Sequence, residues 1–174
     1  MNISIMNYKY LKEKFIEYSS KGKVKEYYYY YYGDERLLYE GEFSIGKRNG
    51  KGKEYDWYGN LKFEGEYLNG KRNGKGKEYN YKSELEFEGE YLNGKKWNGK
   101  KRDFYDNGEL KYEVEFSNGK RNGKGKEYYE DGELRFEGEY LNGRKWNGKG
   151  KEYYDNGELR FEGEYLNGKK YDEK

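Results

Sequence analysis

The chain has 174 residues, 40% of them charged and 21% aromatic, with 36 basic and 34 acidic side chains and neither His nor Cys. This excludes disulfides, thiolate chemistry and an imidazole base, and a net charge of +2 supplies no general attraction to nucleic acid, so no specific nucleic-acid binding is expected. Charge at this density normally marks disorder, but here the signs nearly cancel and the aromatics recur at a regular period.

A thin sheet packed by tyrosines fits this composition better than a thick aliphatic core. Asn2, Ser4, Asn7 and Lys9 interrupt any apolar run at the start, so Met1 to Phe15 does not read as a signal peptide. Nothing approaches the roughly 20 apolar residues of a membrane span. The expected location is the cytoplasm, with peripheral membrane association as the alternative.

Residues 1–38 form an irregular N-terminal segment. Tyr8, Leu11, Phe15 and Tyr18 fall at helical spacing, and Gly22 supplies a stop, which predicts a short helix over Asn7 to Ser19 as a cap. The rival reading is a degenerate repeat, because Gly22-Lys-Val-Lys-Glu-Tyr27 matches a later Gly-Lys-Gly-Lys-Glu-Tyr pattern. Either arrangement would cover an exposed sheet edge. The run Tyr27 to Tyr32 reads as a strand with both faces aromatic.

From residue 39 to 174 the chain is a repeat array, with units starting at Tyr39, Phe63, Phe87, Tyr112, Phe136 and Phe161. In Phe63-Glu-Gly-Glu-Tyr67 the alternation is period 2, one face aromatic and one charged. Asn69-Gly70 and Asn73-Gly74 tolerate positive φ and reverse the chain into a return strand, Gly74 to Tyr79. A second turn, clearest at Asp155-Asn156-Gly157, leads into the next unit. The predicted fold class is all-β: an elongated, single-layer antiparallel meander of stacked β-hairpins. Gly74 and Gly76, placed opposite Tyr67 and Gly65, would let rings lie over bare backbone. Glu64 would face Lys77, and Glu66 would face Lys75. Tyr79 has the wrong parity for the glycine face, so a β-bulge is expected at Lys77-Glu78.

The pattern Tyr39-Glu-Gly-Glu-Phe43 followed by Gly46-Lys-Arg-Asn-Gly50-Lys-Gly52 resembles the MORN repeat. It recurs from Phe63 and from Phe136, and Tyr153 to Leu159 is similar to the bacterial MORN-variant repeats, here about 24 residues long. The resemblance implies a twisted β-sheet and a role as a protein–protein scaffold. It also implies contact with anionic phospholipid as an alternative. The variant repeats imply a further one, an antitoxin or immunity-type protein.

No residue set points to catalysis, and no cofactor or metal is expected. Paired glutamates such as Glu64 and Glu66 recur opposite lysines, and the Asp-Asn-Gly-Glu turns lack the further oxygen ligands of a calcium loop. Partner binding is therefore assigned to the aromatic face (Tyr67, Tyr91, Tyr140 and Tyr165) and to the tips, where Trp97 and Trp146 each lengthen a unit by one residue. Packing of each Trp on the neighbouring tip is the competing reading. The tips also present Lys47/Arg48, Lys71/Arg72, Lys95/Lys96, Lys120/Arg121, Arg144/Lys145 and Lys169/Lys170. With about 9–10 Å per hairpin, these would form a basic stripe suited to an anionic membrane or an acidic protein surface. The other departures from the unit, Val114 and Lys101 where the pattern has Gly, are candidate sites for the same reason.

Overall fold

The computed structural model describes residues 13–18, 23–29, 35–154 and 156–172, and all regular structure within them is β-strand. The chain divides into two compact units, Met1–Glu84 and Leu85–Lys174. The first holds β1 (Glu13–Tyr18), β2 (Lys23–Tyr29), β3 (Glu35–Ser44), β4 (Lys47–Tyr55), β5 (Leu61–Leu68) and β6 (Lys71–Tyr79). The second holds β7 (Leu85–Leu92), β8 (Lys95–Phe104), β9 (Leu110–Ser117), β10 (Lys120–Tyr128), β11 (Leu134–Leu141), β12 (Arg144–Tyr153), β13 (Leu159–Leu166) and β14 (Lys169–Asp172). Within each unit every strand pairs antiparallel with the next, so the strand order is the chain order.

The predicted helix is replaced by a strand where the structure describes it. Glu13–Tyr18 pairs with β2 in the register Phe15↔Tyr27 and Tyr18↔Val24. Four apolar residues at helical spacing stabilise too little to compete with a continuous ladder of backbone hydrogen bonds. The rest of the expected helix, and Tyr30 to Tyr32 of the tyrosine run, lie outside the described residues.

Tips and ladders follow from a few residues. At the β5–β6 tip Asn69 and Gly70 have φ of 50° and 83°, the two positive values of a type I′ hairpin turn. Within each compact unit the register from a return strand to the next repeat is constant. Gly52 faces Gly65 and Glu54 faces Phe63; likewise Gly125 faces Gly138 and Glu127 faces Phe136. The glycine pairs exist because rings lie on them. A Cβ on Gly76 would stand 2.6 Å from Phe63 Cε2 and Cζ, inside any real contact.

The expected bulge at Lys77-Glu78 is not there, since β5–β6 pairing runs unbroken through Glu64↔Lys77 and Phe63↔Glu78. The extra residue sits in the outgoing strand, one place before the first aromatic. Tyr55 pairs with Leu61 and Glu54 with Phe63, which leaves Lys62 over; Leu38, Lys111, Arg135 and Arg160 hold the same place. Tyr55 therefore stays on the charged face, where its hydroxyl donates to Glu40 at 2.7 Å, and the preceding Glu54 lies on the ring face. No parity conflict arises, because the aromatic that ends the return strand stays off the glycine face.

The inserted tryptophans are absorbed inside their own hairpins. In β5–β6, Asn73, Gly74 and Lys75 all stand against Glu66. In β11–β12 the ladder resumes after Trp146 alone, with Glu139↔Asn147, and β7–β8 does the same at Trp97. The onward register, Gly150↔Gly163 and Glu152↔Phe161, is the common one.

Two turn residues are out of character. Ile45, 98% exposed, occupies the Asn place of its tip at φ 49°, and Ser83 sits at φ 64° where the corresponding turns have Gly. A β-branched residue in the left-handed region costs about 1–2 kcal/mol. Ile45→Asn and Ser83→Gly should each raise unfolding free energy by about 1 kcal/mol in urea titrations. Gly76→Ala should lower it by about 1–3 kcal/mol. A neutral Ile45→Asn would remove the strain assignment.

Candidate functional site

The ring face of each unit is a single aromatic row, and among the described residues no second layer of structure lies over it. Tyr39, Phe63, Phe87 and Phe136 are nonetheless fully buried. Their neighbours stand edge-on: Tyr67 meets Tyr39 at 5.3 Å and Phe63 at 5.5 Å between centroids, and Tyr165 meets Phe136 at 5.2 Å. The remaining cover is cationic. Arg48 lies 4.2 Å above Tyr39, Arg72 4.0 Å above Phe63, Arg121 4.3 Å above Tyr112 and Lys145 4.6 Å above Phe136.

Arg48, Arg72 and Lys145 are held in place by glutamates on the same face. Tyr67 donates to Glu54 at 2.7 Å, and Arg72 donates to the other oxygen of Glu54 at 2.6 Å. In the second unit Tyr140 and Lys145 reach Glu127 at 2.5 and 2.8 Å, and Tyr165 and Lys170 reach Glu152 at 2.8 and 2.5 Å. Each carboxylate belongs to one repeat, while its hydroxyl and cation belong to the next. Arg48 adds a bridge from Glu26 at 2.7 Å to Glu54 at 2.9 Å. At Glu54, Glu127 and Glu152 a repeat is thus tied to its neighbour by a carboxylate that accepts a tyrosine and a cation together.

Protonation follows from this geometry. Burial would raise the carboxyl of Glu54, but the hydrogen bond and charge of Arg72, with Tyr67 and Arg48, bring it below its ordinary 4.5. Burial likewise opposes, and Lys145 with Tyr140 outweighs it, at Glu127; Lys170 and Tyr165 do the same at Glu152. Burial first and the adjoining glutamate second push the phenols of Tyr67, Tyr140 and Tyr165 well up. Burial pushes Tyr39 to about 12, and burial plus Glu40 takes Tyr55 to about 12.

The outer face carries the expected Glu/Lys ladder. Lys126 meets Glu137 at 2.8 Å, Lys151 meets Glu162 at 2.7 Å, and Glu113 takes both Lys100 at 3.1 Å and Arg102 at 2.7 Å. Glu66 departs from it by accepting the backbone N–H of Lys75 at 3.0 Å, which closes its bulge.

The sequence-predicted residues separate into distinct environments. Tyr67, Tyr91, Tyr140 and Tyr165 are buried at 3–5% exposure, so they are core rather than an open aromatic surface. The basic pairs divide in two. Lys47, Lys71, Lys95, Lys120 and Arg144 are exposed, while Arg48, Arg72, Lys96, Arg121 and Lys145 fold half-buried over the rings. Trp97 and Trp146 are half-buried, and each indole lies against the glycine of the next tip, Gly119 and Gly168. Those same glycines donate N–H to Trp97 and Trp146 carbonyls at 2.9 and 2.8 Å. Leu141, Arg144, Trp146 and Asn167 border a shallow open groove between the last two tips. Glu54, Glu127 and Glu152 escaped the sequence reading, although each shares strand parity with the glycines before it.

Stacked antiparallel hairpins, tied through shared carboxylates at Glu54, Glu127 and Glu152, define a β-hairpin repeat protein. Four of the repeats match the MORN repeat model, at residues 39–56, 63–81, 112–133 and 136–158. No curated protein matches the chain.

Two measurements check the ties. Tyr140→Phe should cost about 1.5 kcal/mol, the net worth of a hydrogen bond to a charged group, while Lys145 still neutralises Glu127. The lowered glutamates contribute stability that is present above their ordinary 4.5 and is lost as pH falls through their lower folded values. The raised phenols contribute stability that is present below their ordinary 10.0 and is lost as pH rises above it, through about 12 for Tyr39 and Tyr55. Stability measured in urea should therefore be level between these limits and fall on both sides. A profile still level well below pH 4.5 would remove the carboxylate assignment.

Proposed function

We propose that this protein is a non-catalytic scaffold that binds a protein partner through its hairpin tips. The observation that supports the reading is the division of labour in each tip. One cation is drawn inward to complete the core and the other is left exposed, and in two of the hairpins the exposed one, Lys95 or Arg144, shares its tip with half-buried Trp97 or Trp146. Exposed cations flanking a partly covered indole are the composition of a protein contact. The aromatic rows serve the fold, so the contact surface is narrower than the whole aromatic face.

Peripheral binding to anionic lipid is the second reading, favoured by the same row of exposed cations. It has one free cation per tip to work with rather than two, which weakens the attraction at physiological salt.

Crosslinking and co-purification from the native host, comparing the unchanged protein with Trp97→Ala/Trp146→Ala, tests the first reading. The partner captured by the unchanged protein should fall at least tenfold with the double variant. No reproducible partner in either sample would sink the scaffold reading. Sedimentation with vesicles of anionic lipid at rising salt tests the second. Binding that needs anionic lipid and is lost with salt supports it, and no sedimentation eliminates it.

A further inference from the structure

One junction of the second unit lacks the tie made at Glu54, Glu127 and Glu152, and it does so with four coordinated replacements. At β8–β9 the glutamate place holds Asp103, one methylene shorter, opposite Tyr112. The tyrosine place that should donate to it holds Phe116, which has no hydroxyl. The Gly–Gly pair is replaced by Lys101 opposite Val114. Val114 is buried with Tyr112, Phe136 and Tyr140, and Phe116 packs against that cluster.

The consequence is a pair of cations without a carboxylate. Arg121 lies 4.3 Å from the centroid of the Tyr112 ring, and Lys101 Nζ lies 5.4 Å from the same centroid. Among the described residues neither makes an ion pair, and the Asp103 side chain makes neither a hydrogen bond nor an ion pair. Glu127, across the β9–β10 pair from Tyr112, is committed to Tyr140 and Lys145. Arg72, Lys145 and Lys170, in the place of Arg121, each meet the preceding repeat's glutamate at 2.5–2.8 Å. Lys101, Arg121, Asp103 and Phe116 are all partly exposed.

We infer that Lys101, Arg121 and the Tyr112 ring form a docking site for a carboxylate side chain of an acidic segment in a protein partner. This deepens the scaffold reading and rests on it. The occupant is set by the neighbouring repeats: wherever the tie is intact, a glutamate carboxylate fills this place and bridges the cation. Here the chain supplies two cations and withholds the bridging anion. An incoming Glu or Asp restores the neutral arrangement, while the apolar Val114–Phe116 floor accommodates the methylenes of its stem.

The test is a titration of isotopically labelled full-length protein with a capped peptide of glutamate and glycine, read by NMR. Shifts should concentrate at the Arg121 Nε–H and at the Lys101, Val114 and Phe116 amides, and should saturate. Arg121→Gln and Lys101→Gln should each weaken the peptide at least tenfold, and Asp103→Glu/Phe116→Tyr, which rebuilds the internal tie, should do the same. Lys71→Gln should leave binding unchanged. Shifts spread evenly over the tips at Lys47, Lys71 and Lys120 would overturn the site in favour of general charge attraction. Equal shifts from sodium phosphate, or from anionic vesicles, would overturn the assignment to a protein carboxylate. No shifts at all would also overturn it. If a partner is still captured from the host, such a failure removes this surface alone, whereas loss of all capture removes the scaffold reading itself.

Discussion

A sheet with a single layer has nothing to lay over its own aromatic face, and that constraint governs the rest of this structure. The rings must be buried by side chains of the same sheet, so the cover has to be long, cationic where it meets the ring face and held down at its end. Arg48, Arg72 and Lys145 meet all three requirements, because each spans a ring and terminates on a glutamate of the preceding repeat. The glutamate is stable at that depth only because it receives a hydroxyl and a cation together. Remove either and the lid over the ring loosens.

The same constraint explains what varies and what does not. Glycine is needed where a ring presses on backbone, and at Gly76 no other residue fits beneath Phe63. The inserted tryptophans change the hairpin they enter and nothing onward, because the return strand restores its register before it meets the next repeat. Trp146 then becomes a tip element, with its carbonyl bound by Gly168 and its ring against that glycine. A repeat array tolerates such changes at tips because each unit answers only to its neighbours. At β8–β9 the tie itself is altered, and the replacements come together: the shortened carboxylate, the lost hydroxyl and the filled glycine sites are consistent only as a set.

Much of this was legible from residue order. The unit starts at Tyr39, Phe63, Phe87, Tyr112, Phe136 and Phe161, the Asn-Gly tips, the Glu64–Lys77 pairing and the role of Gly65 and Gly76 all follow from period-2 alternation and turn chemistry. Three features were misread for one reason, that parity alone does not say which strand holds an extra residue. Placing the bulge at Lys77-Glu78 rather than at Lys62 put Tyr79 on the wrong face and hid the glutamates that belong there. The same error left Arg72 and Lys145 counted as free tip cations, and Tyr67 and Tyr140 as an open surface.

Alternation, glycine spacing and the Asn-Gly pairs therefore determine by themselves that this chain folds into antiparallel hairpins of about two dozen residues, because those signals act within one hairpin. Which side chains bury which could be seen only once neighbouring repeats were set side by side. The tie from Glu54 to Tyr67 and Arg72 joins residues from two repeats, and its geometry depends on a bulge whose location is set by packing between them. The vacancy of a carboxylate beside Lys101 and Arg121 is likewise invisible in residue order, where Lys101 is only a departure from the glycine pattern and Arg121 only a tip cation, and becomes apparent against the filled junctions around it.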